Sequence, residues 1–164
     1  MKPIAKVRWV AYGLAVLVIL CDQATKHWLL RDLRLADGET IVLWGPLHLT
    51  LVRNPGIAYG LLRSHAEWSR WLLSAFEFVV SIALAVWAWR SERRYTAAAI
   101  GLVIGGAVGN LIDRVRLGAV VDFLDVQRLH FPWIFNVADS AITVGLALLI
   151  VEGLLAPSGR PAKA

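Results

Sequence analysis

The residues that could do chemistry are concentrated in one polar stretch, 105–140, with helix-length apolar runs on both sides. It contains four aspartates and two asparagines: Asp113, Asp122, Asp125, Asp139, Asn110 and Asn136. Ionisable groups at the edge of hydrocarbon are costly, so such groups mark a candidate functional site. Two aspartates held close cannot easily both ionise, so one keeps a proton while the other accepts one from water. Such a pair hydrolyses a peptide bond without a metal, and we predict that Asp122 and Asp139 form it.

Other hydrolytic sites lack their characteristic residues in this chain. The four histidines are scattered, and no serine lies in a nucleophile-elbow motif. No HExxH or CxxC spacing is present, and the single cysteine, Cys21, allows no intrachain disulfide. We therefore expect no metal ion and no other cofactor.

The composition is that of a membrane protein. The 164 residues are 58% hydrophobic and 18% charged, with a mean hydropathy of +0.61. Soluble domains are about 45–50% apolar and about 25% charged. The net charge of +5 could indicate nucleic-acid binding, but the basic residues cluster at the ends of apolar runs. We read them as topology signals and expect no nucleic-acid partner.

The apolar runs predict an all-α integral membrane protein that forms a single domain over residues 1–164. Four transmembrane helices are expected, at about 9–30, 68–89, 95–111 and 137–155. The first run imitates a secretory signal, but Leu20 precedes Cys21 where cleavage needs a small side chain. We therefore expect it to remain as a helix.

The connection 31–67 differs from the apolar runs. Its LHLTLV segment (47–52) alternates like a half-buried strand, and WGP and NPG supply turns around it. So long a connection is seldom structureless in a small protein, so we predict a small strand-containing extracytoplasmic subdomain. Segments 1–8, 90–94 and 156–164 hold eight of the Lys and Arg residues. Basic segments stay inside, which predicts that both termini are cytoplasmic and both long connections lie outside.

This topology brings three polar residues to one depth. At about 1.5 Å per helical residue, Asp22 lies about 20 Å from Trp9, Asn110 about 22 Å from Tyr95, and Asp139 about 24 Å from Leu155. Each is then near the outer boundary of a hydrocarbon core about 30 Å thick. Asp122, in the connection before the fourth helix, can fold back to the same level.

Each residue also has a plainer interpretation that the sequence leaves open. These are a charge pair of Asp113 with Arg114 closing the third helix, an N-cap of the fourth helix by Asn136 and Asp139, a helix-surface ion pair of Asp22 with Lys26, and solvation of Asp125. Taken together they would place polar groups at one depth by accident. Two other functions also stay open: a proton relay through intramembrane acids, and an assembly protein that packs through the small residues of the third helix.

The sequence resembles the lipoprotein signal peptidase (signal peptidase II) family of bacterial inner-membrane aspartic peptidases. The matching segments are DQATK (22–26), RNPGIAYG (53–60), GGAVGNLIDR (105–114), VVDF (120–123) and FNVADS (135–140). They occur in the family's order, from the first helix to the fourth. One departure is Tyr59, where phenylalanine is more usual, and it adds a hydroxyl beside the site.

The resemblance implies a substrate and a set of roles. The substrate is a diacylglyceryl-modified prolipoprotein, cut on the amino side of its lipidated cysteine. Asp122 and Asp139 are the catalytic residues, with Asp22, Asn54, Asn110, Arg114 and Asn136 as supporting or substrate-binding residues. Membrane lipid and globomycin-type inhibitors are further expected partners. The location implied is the bacterial inner membrane, with the active site toward the periplasmic face.

Overall fold

A computed structural model describes residues 3–56 and 66–155. Its four long helices are α1 (Pro3–His27), α2 (Ala66–Arg90), α3 (Arg94–Leu117) and α4 (Val137–Leu155). Within the described ranges, these four are long and apolar enough to cross a membrane, and this confirms the four-span prediction. The backbone of α1 continues into one wider helical turn at Trp28–Asp32. Tyr59 lies outside the described residues.

A small antiparallel sheet accompanies the helices. Its strands are β1 (Thr40–Trp44), β2 (Leu47–Asn54), β3 (Val120–Asp125) and β4 (Ile134–Phe135), and they lie in that order across the sheet. The alternating segment 47–52 falls in β2, so the strand-containing subdomain is confirmed. β3 and β4 were not foreseen. β3 is buried on both faces, so its sequence lacks the alternation of apolar and polar residues that is typical of a half-exposed strand.

Helix α3 is the central helix: most of its apolar segment is buried, whereas the other three helices are largely exposed. Its glycines at 101, 105 and 109 face α1. A Cβ added at Gly105 would lie 2.6 Å from the Val18 side chain, and one added at Gly109 would lie 2.8 Å from Asp22 Oδ2. The absence of side chains at these two positions therefore lets α1 pack closely and lets the Asp22 carboxylate enter the interface.

Helix α3 also extends to Leu117, past the expected end near residue 111. In the added turns Asp113 and Arg114 are buried by partners on other helices, whereas residues 115–117 are exposed. It ends at Gly118, whose φ of +80° favours glycine and whose N–H donates to the Arg114 carbonyl over 3.1 Å. β3 begins two residues later. This tight turn places β3 directly beside the end of α3.

The sheet has its own apolar cluster, which fixes the orientation of β3. Val121 and Phe123 pack there with Leu29, Leu49 and Leu51. Since neighbouring residues of a strand point to opposite faces, Asp122 faces away from this cluster, toward the helix ends.

Candidate active site

Asp122 is a buried carboxylate that accepts hydrogen bonds from two side-chain amides. Asn54 Nδ2 donates to its Oδ2 over 3.1 Å, and Asn136 Nδ2 donates to its Oδ1 over 2.8 Å. Asn54 is the last residue of β2 and pairs with Val120 at the start of β3. The sheet register therefore sets the position of the Asn54 amide relative to Asp122.

Asp139 is the third residue of α4 and lies at the helix N-terminus. Asn110 Nδ2, on α3, donates to its Oδ1 over 2.8 Å. The backbone N–H of Asn136 donates to its Oδ2 over 3.3 Å, and the N–H of Asp139 donates to Asn136 Oδ1 over 2.8 Å. This reciprocal arrangement is a capping box. The N-cap interpretation is therefore correct, and it places the Asp139 carboxylate beside Asn110.

Asn136 joins the two aspartates. It is completely buried, its side-chain amide contacts Asp122, and its backbone contacts Asp139. Its Nδ2 also lies 3.1 Å from Asn110 Oδ1, so the two asparagines are linked as well. Four predicted site residues from β3, α3 and the start of α4 thus form one connected network.

The electrostatics of this network favour a protonated Asp122. Burial of the carboxyl group, and next the nearby charge of Asp139, raise the pKa of Asp122 from 3.8 to about 7. The amide donors from Asn54 and Asn136 oppose this rise. A carboxyl group that titrates near neutral pH is suited to exchange protons with a substrate.

A second cluster lies behind the pair. Lys26 Nζ is 2.8 Å from Asp22 Oδ2 and 2.7 Å from Asp113 Oδ2, and all three side chains are buried. Asp22 and Lys26 do form an ion pair, but the interpretation that this pair lies on the helix surface is therefore wrong. The pairing of Asp113 with Arg114 is also wrong, since Asp113 pairs with Lys26, on another helix.

Arg114 forms its ion pair with Glu77 of α2. Among the described residues, Arg114 Nε and Glu77 Oε2 are buried atoms without a hydrogen-bond partner. Buried polar groups usually have partners, so these two atoms retain hydrogen-bonding capacity. The expected solvation of Asp125 is wrong as well. Asp125 is buried, accepts a hydrogen bond from Thr50 Oγ1 over 2.7 Å, and belongs to the sheet rather than to the aspartate pair.

Sequence reasoning missed the contributions of Gln23, Lys26 and Glu77 to this region. Gln23 Nε2 donates to Asp113 Oδ1 over 3.0 Å, which completes the Lys26 cluster. The i, i+4 spacing of Asp22 and Lys26 was visible, but the third partner lies on α3. Glu77 is a charged residue inside an apolar run, which indicates a buried partner, but the sequence does not identify that partner as Arg114.

Four spans and a connected network of carboxylates and amides define a multi-span membrane protein with a polar candidate site. Comparison with known proteins is consistent with this class. The model of the signal peptidase (SPase) II family matches residues 14–155. A lipoprotein signal peptidase of Caulobacter vibrioides is 50% identical over 153 residues, which cover 93% of this chain and 90% of that protein. One of Yersinia enterocolitica is 38% identical and covers 98% of this chain and 96% of its own length.

The fold has a match among solved structures. A bacterial membrane enzyme structure obtained by the in meso method at 2.3 Å resolution has a TM-score of 0.80 and 31% identity, and the match covers 94% of this chain and 93% of that one. The chain belongs to the signal peptidase II family and is a membrane peptidase. The resemblance stated from the sequence is thereby confirmed.

Proposed function

We propose that this peptidase removes the signal peptide from diacylglyceryl-modified prolipoproteins, with Asp122 and Asp139 as the catalytic aspartates. The observation that carries the proposal is the connection of the two acids through Asn136, whose amide contacts Asp122 and whose backbone contacts Asp139. Two carboxyl groups from separate parts of the chain then act on one water and one peptide bond.

The two acids take different roles. Asp122 holds the proton near neutral pH, because burial and the nearby charge of Asp139 raise its pKa to about 7. Asp139 accepts N–H donors from Asn110 and from the Asn136 backbone, and these stabilise a negative charge. Asp139 therefore takes a proton from water as the water attacks the carbonyl carbon. Asp122 donates its proton to the carbonyl oxygen as the tetrahedral intermediate forms. When the intermediate collapses, that proton returns to Asp122, and Asp139 passes the proton taken from water to the leaving amine.

The level of the site suits a lipid-anchored substrate. Asp139 lies in the first turn of α4, and Asp122 lies in the strand that follows α3, so both are at one end of the transmembrane helices. Acyl chains on a substrate cysteine lie in the bilayer, which holds the scissile bond near its surface. The basic segments at the other ends of the helices support cytoplasmic termini and a site toward the periplasmic face of the inner membrane.

The supporting residues position different parts of the site. Asn54, Asn110 and Asn136 orient the two carboxyl groups through the hydrogen bonds described above. Arg114 is held by Glu77, and its guanidinium group supplies N–H donors of the kind that bind a carbonyl oxygen of the substrate. Asp22 acts from behind the site, through the Lys26 cluster. A globomycin-type cyclic peptide would compete with the substrate for the site at Asp122 and Asp139.

The test is cleavage of a lipidated prolipoprotein by the purified protein in detergent. Wild type should cut on the amino side of the lipidated cysteine, and both Asp122→Asn and Asp139→Asn should lose at least about 1,000-fold in rate while they stay folded. Asp125→Asn is the matched control: it is a buried aspartate of the same strand, but it contacts Thr50 instead of the pair. Its rate should stay near that of wild type. Absence of cleavage by wild type, or full activity of either catalytic variant, would refute the proposal.

A further inference from the structure

The two acids of the Lys26 cluster each hold the backbone next to one proposed catalytic aspartate. Asp22 Oδ1 accepts the N–H of Ala138 over 3.0 Å, and Ala138 directly precedes Asp139. Asp113 Oδ2 accepts the N–H of Val121 over 3.1 Å, and Val121 directly precedes Asp122. One contact fixes the start of α4 and the other fixes β3.

Lys26 ties these two contacts together. Its ammonium group lies within 2.8 Å of a carboxylate oxygen of each acid, and its side chain is only 3% exposed. Without the cation, two buried negative charges would repel each other, and each would lose a hydrogen-bonded partner. Gln23 also donates to Asp113, so the acids are held by neighbours as well as by charge.

We propose that Lys26 is a positioning residue: by holding Asp22 and Asp113 together, it sets the separation of the Asp122 and Asp139 carboxyl groups. This inference rests on the catalytic roles proposed above. The path runs from Lys26 through two carboxylates and two backbone N–H groups to both aspartates. Because an acid and a base must reach the same water and carbonyl, a shift of about 1 Å costs about 100-fold in rate.

The test must keep the charge of the cluster, since removal of a charge would act on the pair directly. Lys26→Arg keeps the charge but replaces a compact ammonium with a larger planar group in a buried space. We expect kcat for lipidated prolipoprotein to fall about 10- to 100-fold, with KM changed less than about twofold. The alkaline limb of the pH–rate profile should shift, because the repulsion between the carboxyl groups depends on their separation.

A second variant provides an independent test in case Lys26→Arg does not fold. Asp113→Glu keeps every charge and lengthens by one methylene the side chain that binds the Val121 N–H, so it should show the same fall in kcat and a shifted limb. Thr96→Val is the matched control. It removes the hydrogen bonds from Thr96 to Glu152 that join α3 and α4 near the other ends of these helices. It should leave both kcat and the pH profile unchanged.

The outcomes separate this inference from the proposed function. If wild type does not cleave the substrate, the function fails. If wild type cleaves and the folded Lys26→Arg or Asp113→Glu protein keeps its kcat, the inference fails and the function stands. A fall in kcat with an unshifted pH profile also overturns the inference, because a general loss of folded enzyme would give that result.

Discussion

Two pairs of aspartates lie side by side in this protein, and they differ in what surrounds them. Asp22, Asp113 and Asp122 are buried, and Asp139 is partly exposed. Asp22 and Asp113 share the ammonium group of Lys26. The contacts described for Asp122 and Asp139 come from amide N–H groups of three asparagines. The first pair therefore faces a cation, whereas the second pair faces neutral donors. In the proposed mechanism the same residue type thus serves as scaffold in one cluster and as acid and base in the other.

The largest expected effect comes from removal of the cation. Lys26→Met leaves two buried carboxylates unpaired and should lower the free energy of unfolding by about 3–5 kcal/mol. Asp122→Asn should cost at most about 1 kcal/mol, because it loses hydrogen bonds but also removes a carboxyl group whose raised pKa opposes folding at pH 7. Denaturant unfolding of both variants in the same detergent at pH 7 measures the difference. If adding Asp22→Asn and Asp113→Asn to Lys26→Met restores stability, the loss is due to the unpaired charges. Equal losses of stability in Lys26→Met and Asp122→Asn would contradict the difference between the two aspartate pairs.

A smaller effect separates the two roles of Asn136. Asn136→Ala removes the cap of α4 and the amide that contacts Asp122, and it should lower the free energy of unfolding by about 1–2 kcal/mol together with kcat. Asn136→Ser keeps a capping oxygen, but its side chain is too short to replace the amide at Asp122. The serine variant should therefore be nearly as stable as wild type and yet slower. Thermal unfolding and initial cleavage rates check this, and a serine variant with the wild-type kcat would rule out the bridging role.

The last effect is the dependence on pH. The folded-state pKa of Asp122, about 7, lies above the ordinary value of 3.8, so the folded protein binds more protons than the unfolded chain between these values. The contribution of Asp122 to stability therefore falls as pH rises through this window and levels off above it. Cleavage should decline about tenfold per pH unit above pH 7 as Asp122 loses its proton. Asp122→Asn should lack the stability slope, and a rate that stays constant to pH 9 would count against Asp122 as the acid.

Much of the site was accessible from the sequence because helices impose a simple depth scale. Asp22, Asn110 and Asp139 were placed at one level by counting residues, and the structure joins the same three helices through Asn110, Asp139 and the Lys26 cluster. The partner of Asp113 could not be found in that way. Its nearest opposite charge in sequence is Arg114, but successive residues of a helix point in different directions, so each pairs with a different helix.

The strands also divide into one that the sequence predicted and one that it did not. β2 was recognised because one of its faces is more exposed than the other, and alternation records that difference. β3 is covered on both faces by the apolar cluster and by the helix ends, so its sequence carries no alternation, and Asp125 could not be seen to be buried.

The sequence by itself determined the number of membrane spans, the level of the polar residues and the family, because hydropathy and motif spacing are local properties of the chain. Only the tertiary structure decided which acid meets Lys26, which meets Asn136, and on which side of β3 Asp122 lies. Those contacts join residues as far apart as Asp22 and Ala138. Their pairing depends on how α1, α3, α4 and the sheet pack together, and no local pattern records that packing.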